Sequence, residues 1–386
     1  MNPLLRLKTF GQSIWLDNIH RNLLESGELE RMIREDGICG ITSNPTIFEQ
    51  AINGSPDYDR ALQALVARDP AQPDQELFYT LAVEDIQAAA DILLPVYESS
   101  GHRDGMVSLE VSPDLAHDTA GTIAEARALH RRVNRPNLMI KVPATREGLP
   151  AIRQLVAEGV NVNVTLLFAV ERYRAVAEAY LAGLEARRDG GHKLYDVASV
   201  ASFFISRVDS QVDKLLEQKA AAAPEAGRAA ILALRGKAAI ANAKLAYQVY
   251  REVFGSARFK ALARAGAHAQ RLLWGSTGTK NPDYSDVLYV EELIGPETVN
   301  TVPPGTYLAY RDHGAPRVTL TQGVAEAREA LQHVAGLGID LAAITRELED
   351  DGVKKFAQSF HTLLDVIHRK TAGMRPARAS GGTRPV

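Results

Sequence analysis

The sequence contains a single cysteine, Cys39, among its 386 residues. One thiol excludes an intrachain disulfide and any metal or iron–sulfur site built from several cysteines. Because Cys39 lies in the apolar stretch GICGIT, we interpret it as a packed thiol and not as a nucleophile. The histidines are scattered, and neither HExxH, CxxC nor a close cluster of His, Asp and Glu occurs, so the sequence predicts no metal site.

Neither sign of charge is in large excess, and no apolar run is long. The chain has 44 Lys and Arg against 47 Asp and Glu, a net charge of −3. No overall field therefore favours nucleic acid or an anionic membrane as a partner. No run is long enough to cross a bilayer, and the N-terminal segment does not resemble a signal sequence. We predict a soluble, cytoplasmic protein.

Short apolar runs alternate with helical patterns along the chain. Helical periodicity occurs between the runs, for example in residues 21–35, 148–158 and 340–369. The region 209–267 is mostly helical and rich in alanine. The apolar runs predict eight strands, at residues 13–16, 38–42, 106–111, 137–142, 160–166, 198–205, 271–275 and 298–302.

Strands that alternate with helices pair in parallel through helical crossovers. The candidate folds are an open doubly wound sheet and a closed (β/α)₈ barrel. Eight units, and the lack of a glycine-rich dinucleotide motif after the first strand, favour the barrel. We predict an α/β protein: one (β/α)₈ TIM barrel over residues 1–370 with added helical insertions, followed by a disordered tail at 371–386.

One lysine interrupts the fourth predicted strand. Lys141 stands in LMIKVPAT, directly between Ile140 and Val142. Burial of an ammonium is costly, so such a lysine pairs with a carboxylate, extends its head group to the strand end, or loses its proton. In the last case, the free amine is a nucleophile that can form a Schiff base with an aldehyde or ketone. This segment alone leaves these alternatives open.

Polar side chains share one face of several predicted strands. In VNVNVTL, Asn161, Asn163 and Thr165 alternate with valines, and residues two apart on a strand share a face. We expect the polar row to point into the barrel and the valines to meet the outer helices. The same alternation directs a further set of side chains inward: Ser13, Trp15, Asp17, Ser108, Glu110, Met139, Lys141, Ser202 and Phe204.

These candidates lie towards the C-terminal ends of their strands, where the active sites of such barrels are formed. Each also has an ordinary structural explanation. Asp17 fits a helix cap, Asn44 fits a turn before Pro45, and Thr165 is a common strand residue. Their shared face and level make a common site the better explanation.

Arg207 follows the sixth predicted strand in SFFISR. A guanidinium near the hydroxyl of Ser202 can hold a phosphate through two parallel hydrogen bonds, and an ion pair with Asp209 or Asp213 is the alternative. Lys280, in WGSTGTKNP, lacks the spacing of a P-loop. Its polar surroundings predict a solvated amine that is a poor candidate for a Schiff base.

Several blocks of the sequence resemble the transaldolase family. The resemblance covers roughly residues 10–370 in order and extends to a late segment typical of the longer bacterial members, WGSTGTKNPDYSDVLYVEELIGPETVNTVP. One departure is Ser43, which stands where a second threonine is common, and its small polar side chain preserves that role. The blocks are SIWLDNI, TSNPTIF, VSLEV, LMIKVPAT, VNVNVTLLF and SFFISRVD.

The resemblance implies a (β/α)₈ barrel that acts in the non-oxidative pentose phosphate pathway. Its members move a three-carbon dihydroxyacetone unit from a ketose phosphate, such as fructose 6-phosphate or sedoheptulose 7-phosphate, to an aldose phosphate acceptor. The partners implied are sugar phosphates. Because a protonated imine is the electron sink, neither a metal nor an organic cofactor is implied. A homo-oligomer is a further expectation, although no periodic apolar seam marks an interface.

The resemblance also implies a role for each matched residue. Lys141 attacks the C2 carbonyl of the donor, and Glu110 with Thr165 handles a water during carbinolamine formation and dehydration. Asp17 takes the proton of the C4 hydroxyl as the C3–C4 bond breaks. The binding residues are Asn44 and Asn163 for the hydroxyls of the retained fragment, Ser202 and Arg207 for the phosphate, and Phe204 for the substrate.

Two alternative functions remain at this point. One is a lyase of the same fold that releases dihydroxyacetone, as in the smaller fructose 6-phosphate aldolases. Those relatives lack the carboxylate on the third strand, so Glu110 and the length of 386 residues argue against this alternative. The other is a catalytically silent barrel that binds sugar phosphates or a protein partner.

Overall fold

The computed structural model describes residues 2–375. Eight parallel strands form a closed barrel in which each strand pairs with the next and the last pairs with the first. The predicted (β/α)₈ barrel is confirmed. The strands are β1 (Gln12–Leu16), β2 (Ile38–Ile41), β3 (Met106–Glu110), β4 (Leu138–Pro143), β5 (Val162–Leu167), β6 (Ser199–Phe204), β7 (Arg271–Gly275) and β8 (Thr298–Val302).

Helices surround the barrel. Within residues 2–375, none of them is long and apolar enough to cross a membrane. Short 3₁₀ helices occur at Lys8–Phe10, Pro56–Tyr58 and Pro113–Leu115. The α-helices are α1 (Pro3–Leu7), α2 (Arg21–Glu25), α3 (Glu28–Asp36), α4 (Pro45–Gly54), α5 (Asp59–Arg68), α6 (Asp74–Ser99), α7 (Thr119–Val133), α8 (Gly148–Glu158), α9 (Val170–Asp189), α10 (Ser206–Ala222), α11 (Glu225–Leu232), α12 (Ala238–Phe254), α13 (Ala257–Arg264), α14 (Leu288–Glu292), α15 (Pro304–His313), α16 (Val324–Gly336) and α17 (Leu341–Ala372).

The helix predicted at residues 21–35 is two helices. α2 ends at Glu25 and α3 begins at Glu28, and Gly27 between them has a left-handed backbone with φ of 79°. A side chain would be strained at that angle, so the glycine permits the break. The helical region 209–267 forms part of the outer layer, since α12 packs against both α9 and α16.

An apolar layer fills the middle of the barrel. Trp15 and Met139, both predicted to point inward, lie in this layer and are fully buried. Gly40 gives the indole its space, because a Cβ there would lie 2.4 Å from a ring carbon of Trp15. Val162 and Val164 belong to the separate core between strands and helices, as the alternation predicted.

A charged cluster occupies the N-terminal end of the barrel, below that layer. Arg271 Nη2 lies 3.0 Å from Asp104 Oδ1, and Ser13 Oγ donates to Asp104 Oδ2 at 2.7 Å. Cys39 lies nearby and donates its thiol to the Ile14 carbonyl at 3.3 Å. Burial raises the pKa of the Cys39 thiol well above its usual range, which is typical of a packed and unreactive cysteine.

α17 crosses the C-terminal end of the barrel, where it packs against α4, α6, α10 and β5. It extends beyond the predicted domain end at residue 370, because Thr371 is buried and donates to the Ile367 carbonyl at 2.9 Å. Arg375 donates to Asp74 Oδ1 at 2.5 Å. Residues 371–375 are therefore attached to the barrel, and the rest of the predicted tail lies outside the described residues.

Candidate active site

Lys141 lies at the C-terminal end of the barrel interior, on β4. Its Nζ donates to the Ser43 carbonyl at 2.9 Å and lies 3.3 Å from Glu110 Oε2. The ring centroid of Phe356, on α17, is 5.9 Å from Nζ. With 5% of its side chain exposed, this lysine is enclosed by protein on several sides. The sequence left three possibilities for this lysine: a pair with a carboxylate, a head group extended to the strand end, or loss of its proton. The structure shows the pair with a carboxylate.

Glu110 stands directly beside this lysine, since Glu110 and Lys141 are register partners on β3 and β4. Burial raises the pKa of the Glu110 carboxyl; the charge of Lys141 opposes this shift and that of Asp17 adds to it. Apart from the ion pair, no hydrogen bond within the described residues reaches Oε2. A carboxyl of raised pKa next to an amine is suited to exchange a proton with it.

Asp17 follows the end of β1 on the same side of the barrel. Its Oδ1 accepts from Thr42 Oγ1 at 2.5 Å, and that hydroxyl also lies 2.7 Å from Thr301 Oγ1. Burial raises the pKa of the Asp17 carboxyl against the effects of Lys141 and Thr42. Asp17 does not cap the following helix, because the His20 ring performs that function.

Thr165 lies where β5 becomes irregular. The register with β6 shifts between Val164 and Leu167, and Leu166 has a left-handed backbone with φ of 59°. A bulky residue rarely adopts this conformation. Thr165 is fully buried, and its Oγ1 has no hydrogen-bond partner among the described residues. An unpartnered buried hydroxyl of this kind is available to a water or a substrate.

Asn163 links three strands inside the barrel. Its Nδ2 donates to Ser108 Oγ at 3.0 Å, and its Oδ1 accepts from Ser202 Oγ at 2.6 Å. The residue is completely buried. The hydroxyl proton of Ser202 is therefore engaged within the barrel wall, and Asn163 retains one amide hydrogen for another partner.

Asn44 is the N-cap of α4. Its Oδ1 accepts from the Ile47 backbone amide at 3.0 Å, so the ordinary turn-and-cap explanation is correct for this oxygen. The Nδ2 group has no hydrogen bond within residues 2–375. Asn44 and Glu110 both border one small cavity.

Arg207 is the second residue of α10, the helix after β6. Its guanidinium stacks on Phe204, with 5.4 Å between the guanidinium carbon and the ring centroid. The predicted alternative partners, Asp209 and Asp213, accept hydrogen bonds from backbone amides and tyrosine hydroxyls instead. In the described part of the chain, Arg207 forms no salt bridge. Burial lowers its pKa, so the charge would gain from an anionic partner.

Comparisons with known proteins identify the family to which this barrel belongs. A family model described as Transaldolase/Fructose-6-phosphate aldolase matches residues 14–367. The chain belongs to this family. It is 46% identical over 380 residues to Transaldolase 2 of Nostoc sp., an alignment covering 97% of this chain and 99% of that protein. It is also 50% identical to the Transaldolase of Saccharopolyspora erythraea over 365 residues, 94% of this chain and 96% of that protein.

A third relative, the Transaldolase of Thermobifida fusca, is 50% identical over 372 residues, 96% of this chain and 99% of that protein. These matches confirm the resemblance to transaldolases that the sequence blocks indicated. They span the barrel from β1 to α17, so the family assignment includes every strand that contributes to the candidate site.

The transaldolase-like barrel brings Lys141, Glu110, Asp17 and Thr165 to one end, as the alternation predicted. Lys280 is exposed, which agrees with the prediction that its amine is solvated. No group of three or more His, Cys, Asp or Glu side chains that could hold a metal occurs in the described range.

Sequence reasoning missed some groups around Lys141. The hydroxyl of Thr42 contacts Asp17, and the carbonyl of Ser43 accepts from the lysine. Their position in TSNPTIF, directly after β2, is a signal that could have identified both. Phe356 carries no such signal, because it is distant in sequence and lies in an ordinary amphipathic helix.

Proposed function

We propose that this chain is a transaldolase. It moves a dihydroxyacetone unit from a ketose phosphate, sedoheptulose 7-phosphate or fructose 6-phosphate, to an aldose phosphate, glyceraldehyde 3-phosphate or erythrose 4-phosphate. The observation that carries the proposal is the buried pair of Lys141 and Glu110, with 3.3 Å between Nζ and Oε2. It supplies a nucleophilic amine and a carboxyl that can move its proton.

The first half of the proposed reaction forms the Schiff base. Glu110 takes the ammonium proton, and the Lys141 amine adds to the C2 carbonyl of the donor. Water then leaves the carbinolamine. The raised pKa of Glu110 supports its role as the proton carrier, and the unpartnered hydroxyl of Thr165 supports a water held between the two residues.

The second half breaks and remakes a carbon–carbon bond. Asp17 removes the proton of the C4 hydroxyl, the C3–C4 bond breaks, and its electron pair moves into the imine. The aldose product leaves, and an acceptor aldehyde takes the same position. C3 of the enamine attacks this aldehyde, and Asp17 returns its proton to the new hydroxyl. Water then adds to the product imine, which releases the ketose phosphate and the free Lys141 amine. Asn44 and Asn163 supply amide hydrogens for the hydroxyls of the retained fragment, and both have such a hydrogen available.

Arg207 has the best-supported role at the phosphate. Its guanidinium is half-buried, stacked on Phe204 and without a salt bridge to any residue in 2–375. Ser202 keeps its proposed phosphate role, for which its hydroxyl would have to turn away from Asn163. The reaction needs no cofactor. We place it in the non-oxidative pentose phosphate pathway of the cytoplasm, and self-association stays a prediction.

Trapping of the imine tests this mechanism. The protein is incubated with fructose 6-phosphate and borohydride, which reduces an imine to a stable amine, and its peptides are analysed by mass spectrometry. We expect a dihydroxyacetone-sized adduct on the Lys141 peptide. Lys141→Ala should remove adduct and turnover, whereas Lys280→Ala, the matched change at an exposed lysine, should retain both. No adduct in folded protein that still binds the sugar would favour the silent barrel.

A product assay separates transfer from release. The family includes fructose-6-phosphate aldolases, so fructose 6-phosphate is supplied with and without erythrose 4-phosphate. A transaldolase should turn over rapidly only with the acceptor and form sedoheptulose 7-phosphate. Rapid accumulation of free dihydroxyacetone without the acceptor would show the lyase.

A further inference from the structure

Two hydroxyls and one carboxyl form a continuous row across the C-terminal ends of β8, β2 and β1. Thr301 Oγ1 lies 2.7 Å from Thr42 Oγ1, and Thr42 Oγ1 lies 2.5 Å from Asp17 Oδ1. We call these three side chains the hydroxyl row. Thr301 and Thr42 are only 4% and 2% exposed, so water has little access to either hydroxyl and their protons are shared within the row.

Thr301 reaches the row because it points into the barrel. Val299, two residues earlier on β8, belongs with Trp15 to the apolar layer that fills the middle of the barrel. Residues two apart on a strand share a face, so Thr301 lies on the same inner face, one level nearer the C-terminal end. This is the end at which Lys141 lies.

Main-chain hydrogen bonds hold the three strand ends together beside the row. The Asp17 amide donates to the Val302 carbonyl at 2.8 Å, and the Thr42 amide donates to the Leu16 carbonyl at 2.9 Å. β1 is therefore tied to β8 on one side and to β2 on the other. Side chains built on this frame have little freedom to separate.

The number of protons in the hydroxyl row sets its direction. An ionised carboxylate only accepts hydrogen bonds, and a threonine hydroxyl has one proton to donate. When Asp17 is ionised, Thr42 gives its proton to Asp17, so the contact between the two hydroxyls requires Thr301 to donate to Thr42. Within residues 2–375, Asp17 Oδ2 has no hydrogen bond, which leaves this oxygen for a substrate hydroxyl.

Thr301 strengthens the bond that Asp17 receives. In a chain of hydrogen bonds, each bond polarises the next and strengthens it by about 10–30%. Burial raises the pKa of Asp17, whereas the charge of Lys141 and the hydrogen bond from Thr42 lower it. The other charged group that acts on Asp17 is the Glu110 carboxyl on β3. A stronger bond from Thr42 therefore adds to the effect of Lys141.

We propose that Thr301 is a positioning residue for proton transfer at C4: it directs the Thr42 hydroxyl at Asp17 and holds that carboxyl in its ionised form. This inference rests on the proposed transaldolase function. Asp17 Oδ2 takes the proton of the C4 hydroxyl as the C3–C4 bond breaks, and returns it when the enamine attacks the acceptor aldehyde. Thr301 exchanges no proton with the substrate, so its loss should leave formation of the Schiff base unchanged.

The test uses two pairs of side chains that differ by one hydroxyl. The parent chain is compared with Thr301→Val, which has nearly the same shape, and Thr301→Ser is compared with Thr301→Ala. The measurement is kcat/KM against pH for transfer from fructose 6-phosphate to erythrose 4-phosphate, which reports groups of the free enzyme.

The variants that lack the hydroxyl should lose the active base earlier as pH falls. We expect the acidic limb to move to higher pH by roughly half a pH unit, which lowers kcat/KM below the limb about threefold. Above the limb, where Asp17 is ionised in all variants, each member of a pair should have nearly the same kcat/KM. The rate at which the borohydride-trappable adduct forms, measured above the limb, should not change.

A double variant shows whether Thr301 acts through Thr42. In the Thr42→Val background, addition of Thr301→Val should move the limb no further, because the relaying hydroxyl is already gone. Thr298→Val is the matched control on the same strand. Its buried hydroxyl donates to the Gly295 carbonyl at 2.6 Å, so its loss should leave the limb unmoved.

Three results would overturn the inference: a parental limb in folded Thr301→Val and Thr301→Ala, an equal loss of kcat/KM at every pH, or additive shifts in the double variant. The same shift in Thr298→Val would also overturn it. Failure of the parent chain to form an adduct, or to transfer to erythrose 4-phosphate, would instead overturn the proposed function itself.

Discussion

Thr42 Oγ1 donates a hydrogen bond of 2.5 Å to Asp17 Oδ1 and connects the end of β2 to the end of β1. Burial raises the pKa of Asp17. The nearby charge of Lys141 and the hydrogen bond from Thr42 each lower it. Thr42 therefore favours the ionised form of the carboxyl that is proposed to remove the proton of the C4 hydroxyl.

Thr42→Val should move the acidic limb of the pH profile to higher pH. The valine keeps the shape but donates no hydrogen bond, so the pKa of Asp17 rises further and the active base is lost earlier as pH falls. The measurement is kcat/KM against pH, which reports groups of the free enzyme. Thr46→Val, which removes a hydrogen bond to Ser359 instead, should leave this limb unmoved. An unshifted limb in Thr42→Val would contradict the assignment of Asp17.

Glu110→Gln should slow formation of the Schiff base. The amide keeps the size of the side chain but cannot accept the ammonium proton of Lys141, and loss of a general acid–base group typically costs about 10²–10⁴-fold in rate. Rapid quenching into borohydride measures this step directly. Glu297→Gln, at the exposed pair with Arg103 near the other end of the barrel, is the control. Adduct formation at the parental rate would remove Glu110 from the mechanism.

Arg207→Gln should raise KM for phosphorylated donors far more than it lowers kcat. A hydrogen bond to a charged group contributes about 1.5–3 kcal/mol, so one lost bond predicts a rise of roughly 10–100-fold. Fructose without the phosphate is the internal control, since the substitution should hardly change its turnover. Equal losses with both sugars would show that Arg207 acts on the fold or the chemistry and does not bind the phosphate.

The strand residues of the site were predictable because a parallel barrel follows simple geometry. Alternation along each strand fixes which side chains point inward, and the C-terminal ends of all strands meet at one end. Glu110, Lys141 and Asn163 were placed in this way, and their registers agree with it.

Contacts between distant segments were not predictable. The position of Phe356 over Lys141 joins α17 to β4, and an amphipathic helix pattern does not say which strand end the helix will cover. The left-handed Leu166 is likewise invisible in sequence, because VNVNVTL matches a regular strand. Asn44 shows a different limit of sequence-based prediction. Its side-chain oxygen caps α4, as that of any Asn before Pro can. Only the structure shows that its Nδ2 group has no hydrogen-bond partner among the described residues.

Gly352→Ala tests whether α17 supports the irregular end of β5. In a helix, this substitution normally stabilises by about 0.5–1 kcal/mol. Here the new Cβ would lie 2.9 Å from Cδ2 of Leu166, a fully buried side chain next to Thr165. Overpacking costs about 1–3 kcal/mol, so we expect the free energy of unfolding, measured with urea, to fall by about 1 kcal/mol. We also expect a lower kcat, because Thr165 shifts.

Gly227→Ala is the control, because Gly227 lies in α11 with open space around its Cβ. It should show the ordinary gain in the free energy of unfolding and full turnover. If Gly352→Ala gained as much stability as Gly227→Ala and kept full turnover, the contact between Gly352 and Leu166 would have no role in holding the site.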